Sequence, residues 1–392
     1  MSIVEQPVWL GLFFLAIAIG YALGRHSRRH RHRDRLTSLS QEYMRGLNFL
    51  LNEQPDKAVD IFVNSLSVTP STIETHLGLA RLFRKRGELD RATRIHSHLL
   101  MQQDLPASLR EEIELELARD YTAAGLLDRA EAILQQMLER GTSRETDVVR
   151  HLMSIFEQEK DWHNALAAGE RLLPKDATVA PVLAHYCCEL AQRLKGDDQV
   201  NAARRTLRRA LQFDRGCVRA NMMFGRLEMR QGLYEDAIRQ FRRIRRQDAV
   251  FFDEVLDDLE RCYVALGQQD RLDRVLARYA VQTPTTAVIL KLADRLKSRY
   301  GEKAASLFIA DYMKAHPSVR GLSRIVDMNI DSAEGSTREH FDILQRLTRQ
   351  LLAEQSVYRC NDCGFDAQHL HWQCPTCKHW GTLRPQQEQE QH

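Results

Sequence analysis

The sequence is poor in the residues that interrupt regular structure. Its 392 residues include only 19 glycines and 10 prolines, so its loops are few and short. The net charge is only +3, which excludes binding of a polyanion through bulk charge. A chain of this length is also too long for one compact core unless its architecture is extended or repetitive. These features favour an array of helices joined by tight turns.

Motifs that announce catalysis are missing as well. We find no phosphate-binding loop, no nucleophile elbow and no paired carboxylates that stand out from the surface charge. The sequence therefore predicts a scaffold or adaptor and regulator rather than an enzyme, with no catalytic residue and no organic cofactor.

The first 24 residues lack charge almost completely. No charged residue occurs between Gln6 and Gly24. As a helix the apolar core would span roughly 25 Å, close to the ~30 Å of a bilayer's hydrocarbon core. Trp9 and Tyr21 lie near its two ends, where aromatic rings prefer the interface. We therefore predict an N-terminal transmembrane anchor over 1–24.

A cleaved signal peptide is the alternative for this segment. It would need a basic start, but Met1–Pro7 has neither Lys nor Arg and carries Glu5. A basic linker, 25–39, follows directly and predicts a cytoplasmic flank with the N-terminus in the periplasm. Free cysteines suit that reducing compartment. The linker's arginines and histidines are Arg25, His26, Arg28, Arg29, His30, Arg31, His32, Arg33 and Arg35.

The basic linker has two interpretations. It could contact anionic lipid headgroups, or it could bind nucleic acid as a tail. Its position immediately after the anchor favours the lipid, and we expect no nucleic-acid partner.

A repeat with a period near 34 residues covers 40–320. Small residues recur at two phases twelve positions apart, as close crossing of two antiparallel helices requires. The first phase holds Gly46, Ala80, Ala118, Met153, Ala191, Gly225, Glu260 and Ala293. The second phase holds Ala58, Ala92, Ala130, Ala165, Ala203, Ala237, Leu272 and Ala305.

Turn and core signals share this period. Glycine precedes the second phase by five residues in four units, and a large apolar residue follows it by four. These units resemble the tetratricopeptide repeat. The resemblance implies an all-α superhelical solenoid of about eight helix pairs that binds protein partners. The glycines are Gly87, Gly125, Gly232 and Gly267, and the large residues are Phe62, Leu134, Leu207, Phe241, Leu276 and Ile309.

Arginine recurs at one register of the repeats. Arg81, Arg119, Arg226 and Arg261 each lie eleven residues before the second small position. That phase is expected to line the groove of the solenoid, where the arginines would bind an acidic partner segment. Solvated surface charge is the alternative. We predict a solvated face for a second group, Arg242, Arg243, Arg245 and Arg246.

The C-terminal region carries the most specific chemical signal. A helical stretch within 321–356 leads into a module at 357–384, and a polar tail fills 385–392. Two C-x-x-C turns supply the thiolates of Cys360, Cys363, Cys374 and Cys377, which predict one tetrahedral metal ion, Fe or Zn.

Other interpretations of this module are less favoured. Disulfides do not suit a reducing compartment. We expect nearby aromatic residues to cover the sulfurs and the module to dock on the last repeats. The covering residues would be Tyr358, Phe365, Trp372 and Trp380; His369, His371 and His379 are interpreted as flanking residues, and Cys187, Cys188, Cys217 and Cys262 as small buried residues.

The two cysteine turns resemble rubredoxin knuckles. The sequence departs from that pattern at Lys378, where the second knuckle usually has glycine, and its inter-knuckle loop is shorter. Both departures weaken the alternative of a rubredoxin-like iron protein that transfers electrons at the membrane.

The chain carries, in this order, the anchor, the basic linker, the repeats and the cysteine motif of 358–380. This order resembles that of the lipopolysaccharide assembly protein B (LapB) family. The resemblance implies an inner-membrane adaptor on the cytoplasmic side. It would limit lipopolysaccharide synthesis by promoting degradation of the deacetylase LpxC by the protease FtsH. It also implies an inner-membrane regulator that contacts the anchor. A homodimer is compatible with the sequence.

Overall fold

The computed structural model describes most of the chain after residue 69. Described are 44–46, 48–49, 54, 57–58, 61, 70–102, 105–282, 284–330 and 333–386. The predicted anchor and basic linker lie outside these residues, as does most of the polar tail. Within the described ranges, no helix combines the length and apolarity needed to cross a bilayer.

The chain divides into two compact units, Met1–Ile155 and Phe156–His392. In the first lie α1 (Pro70–Lys85), α2 (Leu89–Leu100), α3 (Ala107–Ala123), α4 (Leu127–Arg140) and most of α5 (Glu145–Glu159). The second contains α6 (Trp162–Leu172), α7 (Ala180–Arg193), α8 (Val200–Phe213), α9 (Val218–Arg230), α10 (Tyr234–Gln247), α11 (Leu256–Ala265), α12 (Gln269–Gln282), α13 (Thr286–Tyr300), α14 (Glu302–Ala315), α15 (Val319–Asn329) and α16 (Ser336–Glu354).

The helices pair as the repeat period predicts. All eight residues of the second small phase are buried, including Leu272. At Gly225 of the first phase, an added Cβ would meet the ring of Phe241 on the partner helix. Phe241 is itself fully buried. The small residue is thus needed because the helix axes approach too closely for a side chain at the crossing.

Tight turns join the two helices of a pair. After α1, the amide of Gly87 donates to the carbonyl of Arg84, and the amide of Glu88 donates to Phe83, which closes the helix end. The four predicted turn glycines all have positive φ, between 66° and 79°. This conformation is easy for glycine and costly for other residues.

Two features of the array differ from a regular period. The 38-residue step before Ala203 contains a 3-10 turn, Ala177–Val179, that lengthens the connection into α7. Glu260 was predicted to lie at a helix crossing but is only half-buried, and it pairs with Lys291 at 2.8 Å. Its neighbour Leu259 is fully buried instead.

The last helices close the array before the metal module begins. Ala293, Ala305, Ile309 and Met328 form their buried core. The helix predicted near 337–355 is present as α16, and Pro317 follows the end of α14 as expected.

The C-terminal module is a small antiparallel sheet. Its strands are β1 (Tyr358–Cys360), β2 (Asp366–Ala367) and β3 (Leu383–Pro385), in the order β2–β1–β3. The central strand β1 carries the first cysteine. The connection between β1 and β2 carries the second, and the connection between β2 and β3 carries the other two.

Candidate metal centre and its docking site

The two cysteine turns have the same backbone design. In the first, the amide of Gly364 donates to the carbonyl of Cys360 at 3.0 Å; in the second, the amide of Lys378 donates to Cys374, also at 3.0 Å. Gly364 has φ of 74° and Lys378 has φ of 63°. Lys378 therefore adopts the left-handed conformation that glycine usually supplies, and the departure noted in the sequence leaves the turn intact.

The four predicted ligands meet at one point. Their sulfur atoms all lie within 4.8 Å of one another. Cys360 Sγ is 3.8 Å from Cys377 Sγ, and Cys363 Sγ is 3.6 Å from Cys374 Sγ. A tetrahedral ion with metal–sulfur bonds of about 2.3 Å would separate its sulfurs by about 3.8 Å. The donor set and spacing therefore fit one Zn²⁺ or iron ion held by four thiolates.

The surroundings of one ligand favour the form that binds metal. The Thr382 hydroxyl lies 3.3 Å from Cys360 Sγ. This hydrogen bond, together with the backbone amides of Cys363 and Asp362, lowers the pKa of Cys360 to about 6. The thiolate form, which binds metal, is thus favoured at Cys360 near neutral pH.

The module has little core apart from its ligands. Its buried residues are Tyr358, Cys360, Cys374 and Leu383, and two of these four are cysteines of the site. A module this small cannot bury enough apolar surface to fold by packing alone. Metal coordination would therefore supply much of its folding free energy.

Trp380, three residues after the last ligand, packs into the repeat array. Its indole nitrogen donates to the Glu157 carboxylate at 2.7 Å, and the Tyr186 hydroxyl donates to the same oxygen at 2.5 Å. The indole stacks on His185 with ring centroids 5.1 Å apart and an interplanar angle of 25°. It also meets Trp162 edge-on at 5.9 Å. We call this set of residues in the repeats the aromatic pocket.

Trp372, two residues before the third ligand, makes a second contact. Its ring stacks on Phe251 at a centroid distance of 5.6 Å and an angle of 21°. The Arg219 guanidinium lies 5.9 Å from the Trp372 centroid and 6.0 Å from that of Trp380. Arg219 is almost fully buried and forms an ion pair with Glu189 at 2.7 Å. Such a desolvated cation strengthens cation–π attraction to both indoles.

Polar contacts at the edge of the module complete the interface. The Tyr358 hydroxyl donates to Glu254 at 2.6 Å, and Arg384 donates to Asp248 at 2.6 Å. Both acceptors flank or lie within the 3-10 segment Ala249–Val255. The module is thereby held at the second cysteine turn and at its sheet.

Burial changes the ionisation of the aromatic pocket. Burial raises the pKa of Glu157, although hydrogen bonds from Tyr186 and Trp380 act in the opposite direction. Burial, assisted by the positive charge of Arg219, lowers the pKa of His185 to about 3. His185 is therefore a neutral ring at physiological pH, which suits stacking against Trp380.

The structure corrects two predictions about the module. Trp372 and Trp380 were expected to cover the sulfurs, but their rings pack against the repeats. Tyr358 and Phe365 do pack in the module core. Docking was expected on the last repeats, but the contacts fall on α5, α6, α7, α9 and the 3-10 segment that follows α10. The physical reason is that buried aromatic and polar partners for two indoles are present there.

Sequence reasoning missed the docking residues of the repeats. Glu157, His185 and Arg219 are polar residues at buried or half-buried positions of helices, which is a weak signal in a single sequence. Their partners lie more than 150 residues away in the chain, so local spacing could not reveal them.

The histidines near the metal centre also have defined positions. His369 and His371 are exposed, as expected for flanking residues. His379 Nδ1 is 2.7 Å from Asp362, and the two lie near Cys377 in a second group of ligand-type atoms. His379 therefore contacts the surroundings of the site rather than completing the set of four sulfurs.

The four arginines predicted to bind a partner all contact carboxylates within their own unit. In the first unit, Arg81 pairs with Glu112 at 2.8 Å, and Arg119 pairs with Glu116 at 2.7 Å. In the second, Arg226 and Arg261 both pair with Asp258, at 2.7 and 3.0 Å. Their partner-binding role stays a prediction, but much of their charge is already neutralised by the protein. The predicted buried cysteines are all buried.

Comparison with known proteins agrees with this architecture. A model for a rubredoxin metal-binding domain matches 358–385, and one for the tetratricopeptide repeat matches 188–250. Lipopolysaccharide assembly protein B of Escherichia coli is 35% identical over 96% of this chain and 98% of its own length. The chain belongs to the lipopolysaccharide assembly protein B family. The Haemophilus influenzae member is 31% identical, over 96% of this chain and 97% of its own.

Among solved structures, a tetratricopeptide repeat protein from Parabacteroides merdae is similar over 71% of this chain and 99% of its own, with 15% identity and a TM-score of 0.34. In this chain the second unit contains both the metal module and helix pairs, and the aromatic pocket joins them.

Proposed function

We propose that this protein is a membrane-anchored adaptor that regulates lipopolysaccharide synthesis from the cytoplasmic side. It would bring the deacetylase LpxC to the FtsH protease and so lower the rate of lipid A synthesis. The observation that carries this proposal is likeness over almost the whole chain to proteins named for lipopolysaccharide assembly. The partners come from the family resemblance stated above.

The geometry supports an adaptor without catalysis of its own. Helix pairs present long surfaces for protein binding. Within the described ranges, only two groups of His, Cys, Asp or Glu are close enough to hold a metal, and both involve the C-terminal cysteine site. Anchoring would confine the protein to the plane in which a membrane protease works, and tethering can raise local concentration to about the millimolar range.

The metal module would give the second unit a fixed shape. It contacts helices far apart in sequence, from Glu157 to Glu254, through a few strong anchors. A partner surface that spans these helices would then depend on docking of the module. We infer that metal binding acts through this structural link and needs no change of oxidation state.

The test is the half-life of LpxC in a Gram-negative host that lacks its own family member. The full-length chain is expected to shorten the half-life only when FtsH is active. Trp380→Ala should lengthen it again, because it empties the aromatic pocket while leaving the four cysteines in place. His371→Ala, an exposed change in the same module, is the matched control and should behave as wild type. An LpxC half-life that does not respond to the wild-type chain would refute the proposal.

A rubredoxin-like redox role is the second candidate, favoured by the four-sulfur geometry and the matched domain. It requires bound iron whose visible absorption changes when a reductant is added. A colourless zinc protein that still controls LpxC would eliminate it.

A further inference from the structure

A polar cleft lies on the second unit between helices of neighbouring repeats. Side chains of α8, α9 and α10 enclose about 460 Å³. Arg208 comes from α8, Phe224 and Glu228 from α9, and Arg239 and Arg243 from α10. This cleft includes part of the arginine run that the sequence suggested was only a solvated face. We call it the arginine cleft.

Positive charge in the arginine cleft exceeds what the protein neutralises. Both oxygens of Glu228 are taken by Arg204, at 2.8 and 2.6 Å. Arg239 forms an ion pair with Asp236. Arg208 and Arg243 have no carboxylate partner in the described part of the chain. This contrasts with Arg81, Arg119, Arg226 and Arg261, which all have one.

The two unpaired guanidinium groups are held by neutral partners. Arg243 Nη1 donates to Gln240 Oε1 at 3.0 Å, and Gln240 is buried. Arg208 lies over the buried Phe224 ring, with its Cζ 5.9 Å from the ring centroid. Each guanidinium has five N–H donors, so most remain available to a ligand. Positioning before binding lowers the entropy cost of binding.

We propose that the arginine cleft binds the carboxylate side chains of an acidic peptide segment from a protein partner. A guanidinium matches a carboxylate with two parallel hydrogen bonds. Phe224 and Leu211 offer apolar surface to the methylene groups of a glutamate side chain. This inference rests on the adaptor function, because it names the chemistry by which a repeat would hold a partner.

Carboxylates fit the cleft better than phosphates do. The charges of Glu228 and Asp236, which line it, are already paired with Arg204 and Arg239, so the spacing of the free arginines rather than the charge of the ligand decides. The two free arginines also come from different repeats, so a chain that presents successive acidic side chains can reach both. A phosphate or an anionic lipid headgroup is the competing ligand that the experiment must separate.

The experiment measures binding of a fluorescein-labelled peptide of alternating glutamate and alanine to the full-length, metal-loaded protein by anisotropy at fixed ionic strength. The test variant is Arg208→Glu/Arg243→Glu. The matched control is Arg205→Glu/Arg246→Glu, which changes the same charge on the same two helices at exposed positions that do not line the cleft. We expect Kd to rise about tenfold or more in the test variant and less than about twofold in the control.

Several outcomes would overturn the site. Equal loss in both variants would mean that net charge alone attracts the peptide. Tighter competition by inorganic phosphate, or preferential binding to phosphatidylglycerol vesicles, would assign the cleft to phosphate or lipid. Arg208→Gln/Arg243→Gln serves if the charge reversal disturbs folding, and its Kd should also rise.

Failure of this site and failure of the adaptor function are distinguishable. If the peptide does not bind but the chain still shortens the LpxC half-life, only the site is wrong. If the peptide binds as expected but LpxC is unaffected, the cleft is correct and the proposed function is wrong.

Discussion

The helix pairs and the metal module are stabilised in different ways. In the repeats, small residues let helices approach and large apolar residues fill the space between them, as Gly225 and Phe241 illustrate. In the module, two of the four buried core residues are cysteines of the metal site. One region therefore folds by packing, whereas the other depends on an ion and on a neighbour. Metal state can then alter the module while leaving the helix pairs folded.

Loss of the metal should have the largest effect, and it should unfold the metal module while the helices of the first unit stay folded. Cys374→Ser removes a fully buried ligand, and structural zinc contributes roughly 10–16 kcal/mol to small metal domains. We expect the variant to lose bound metal and residues 358–385 to lose protection from hydrogen exchange. The helices of the first unit should keep theirs.

Cys262→Ser is the matched control for this change, since Cys262 is a buried thiol outside the cysteine site. It should retain one metal ion per chain, measured by mass spectrometry under native conditions. Protection of 358–385 that survives in the metal-free Cys374→Ser variant would contradict the dependence on metal.

Overpacking a helix crossing should destabilise the helix pairs and leave the metal module unchanged. Gly225→Ala places a methyl group against the Phe241 ring, and such strain typically costs about 1–3 kcal/mol. Chemical denaturation should show the repeats destabilised while the metal content is unchanged. Gly232→Ala is the control: it has φ of 72° and no atom near the added Cβ, so only backbone strain of about 1 kcal/mol is expected.

A double-mutant cycle identifies the cause. Phe241→Leu makes room at the crossing, so Gly225→Ala should cost less in that background than in wild type. Equal costs in both backgrounds would mean that the ring is not what the methyl group meets.

The repeats were predictable because each unit repeats the same local sequence pattern. Small residues, turn glycines and large apolar residues at fixed intervals indicated the helix pairs, and burial of Ala92 and Ala165 confirms them. The metal ligands were predictable because two short turns carry all four. Glu260 was placed wrongly: its neighbour Leu259 is the fully buried residue, and Glu260 forms an ion pair with Lys291.

The docking of the module was not predictable from spacing. Trp380 and Glu157 are brought together only by the tertiary fold, and either residue alone has a common surface interpretation. The arginine cleft was not predictable either, because its unpaired positive charge depends on which arginines form ion pairs with carboxylates in the folded chain. Ion pairing of Arg226 with Asp258, across repeats, could not be read from a single register.

Acidification should weaken the interface between the module and the repeats. His185 has a pKa of about 3 when docked and about 6.5 when exposed, so between these values the unfolded form binds a proton that the folded form does not. Stability therefore falls as pH falls from 6.5 towards 3. Between pH 7 and pH 5 the loss should reach about 2 kcal/mol.

Other groups titrate in the same pH range. The contribution of His185 is therefore measured as the difference in pH dependence between wild type and a variant that lacks the histidine. The pKa of Glu157 is raised, which opposes the histidine effect, and the cysteines also release metal in acid. His185→Gln keeps a polar side chain but cannot titrate. Its free energy of unfolding, followed by tryptophan fluorescence, should depend less on pH than that of wild type. Identical slopes would show that His185 is not the group responsible.

The smallest expected effect lies in the second cysteine turn, where a lysine occupies a conformation suited to glycine. Lys378 has φ of 63°, and a left-handed residue with a side chain costs roughly 1–2 kcal/mol. Lys378→Gly should relieve this strain and stabilise the metal-loaded module by about 0.5–1 kcal/mol. This net gain is smaller than the strain itself, because glycine also gains entropy in the unfolded chain. Lys378→Ala should not, because alanine keeps the Cβ. Gly364→Ala, at φ of 74° in the first turn, should lose about as much as Lys378→Gly gains, because the two turns share one backbone design. If Lys378→Gly proved no more stable than Lys378→Ala in denaturant titrations, the strain would have to be relaxed in solution and the two turns would differ in shape.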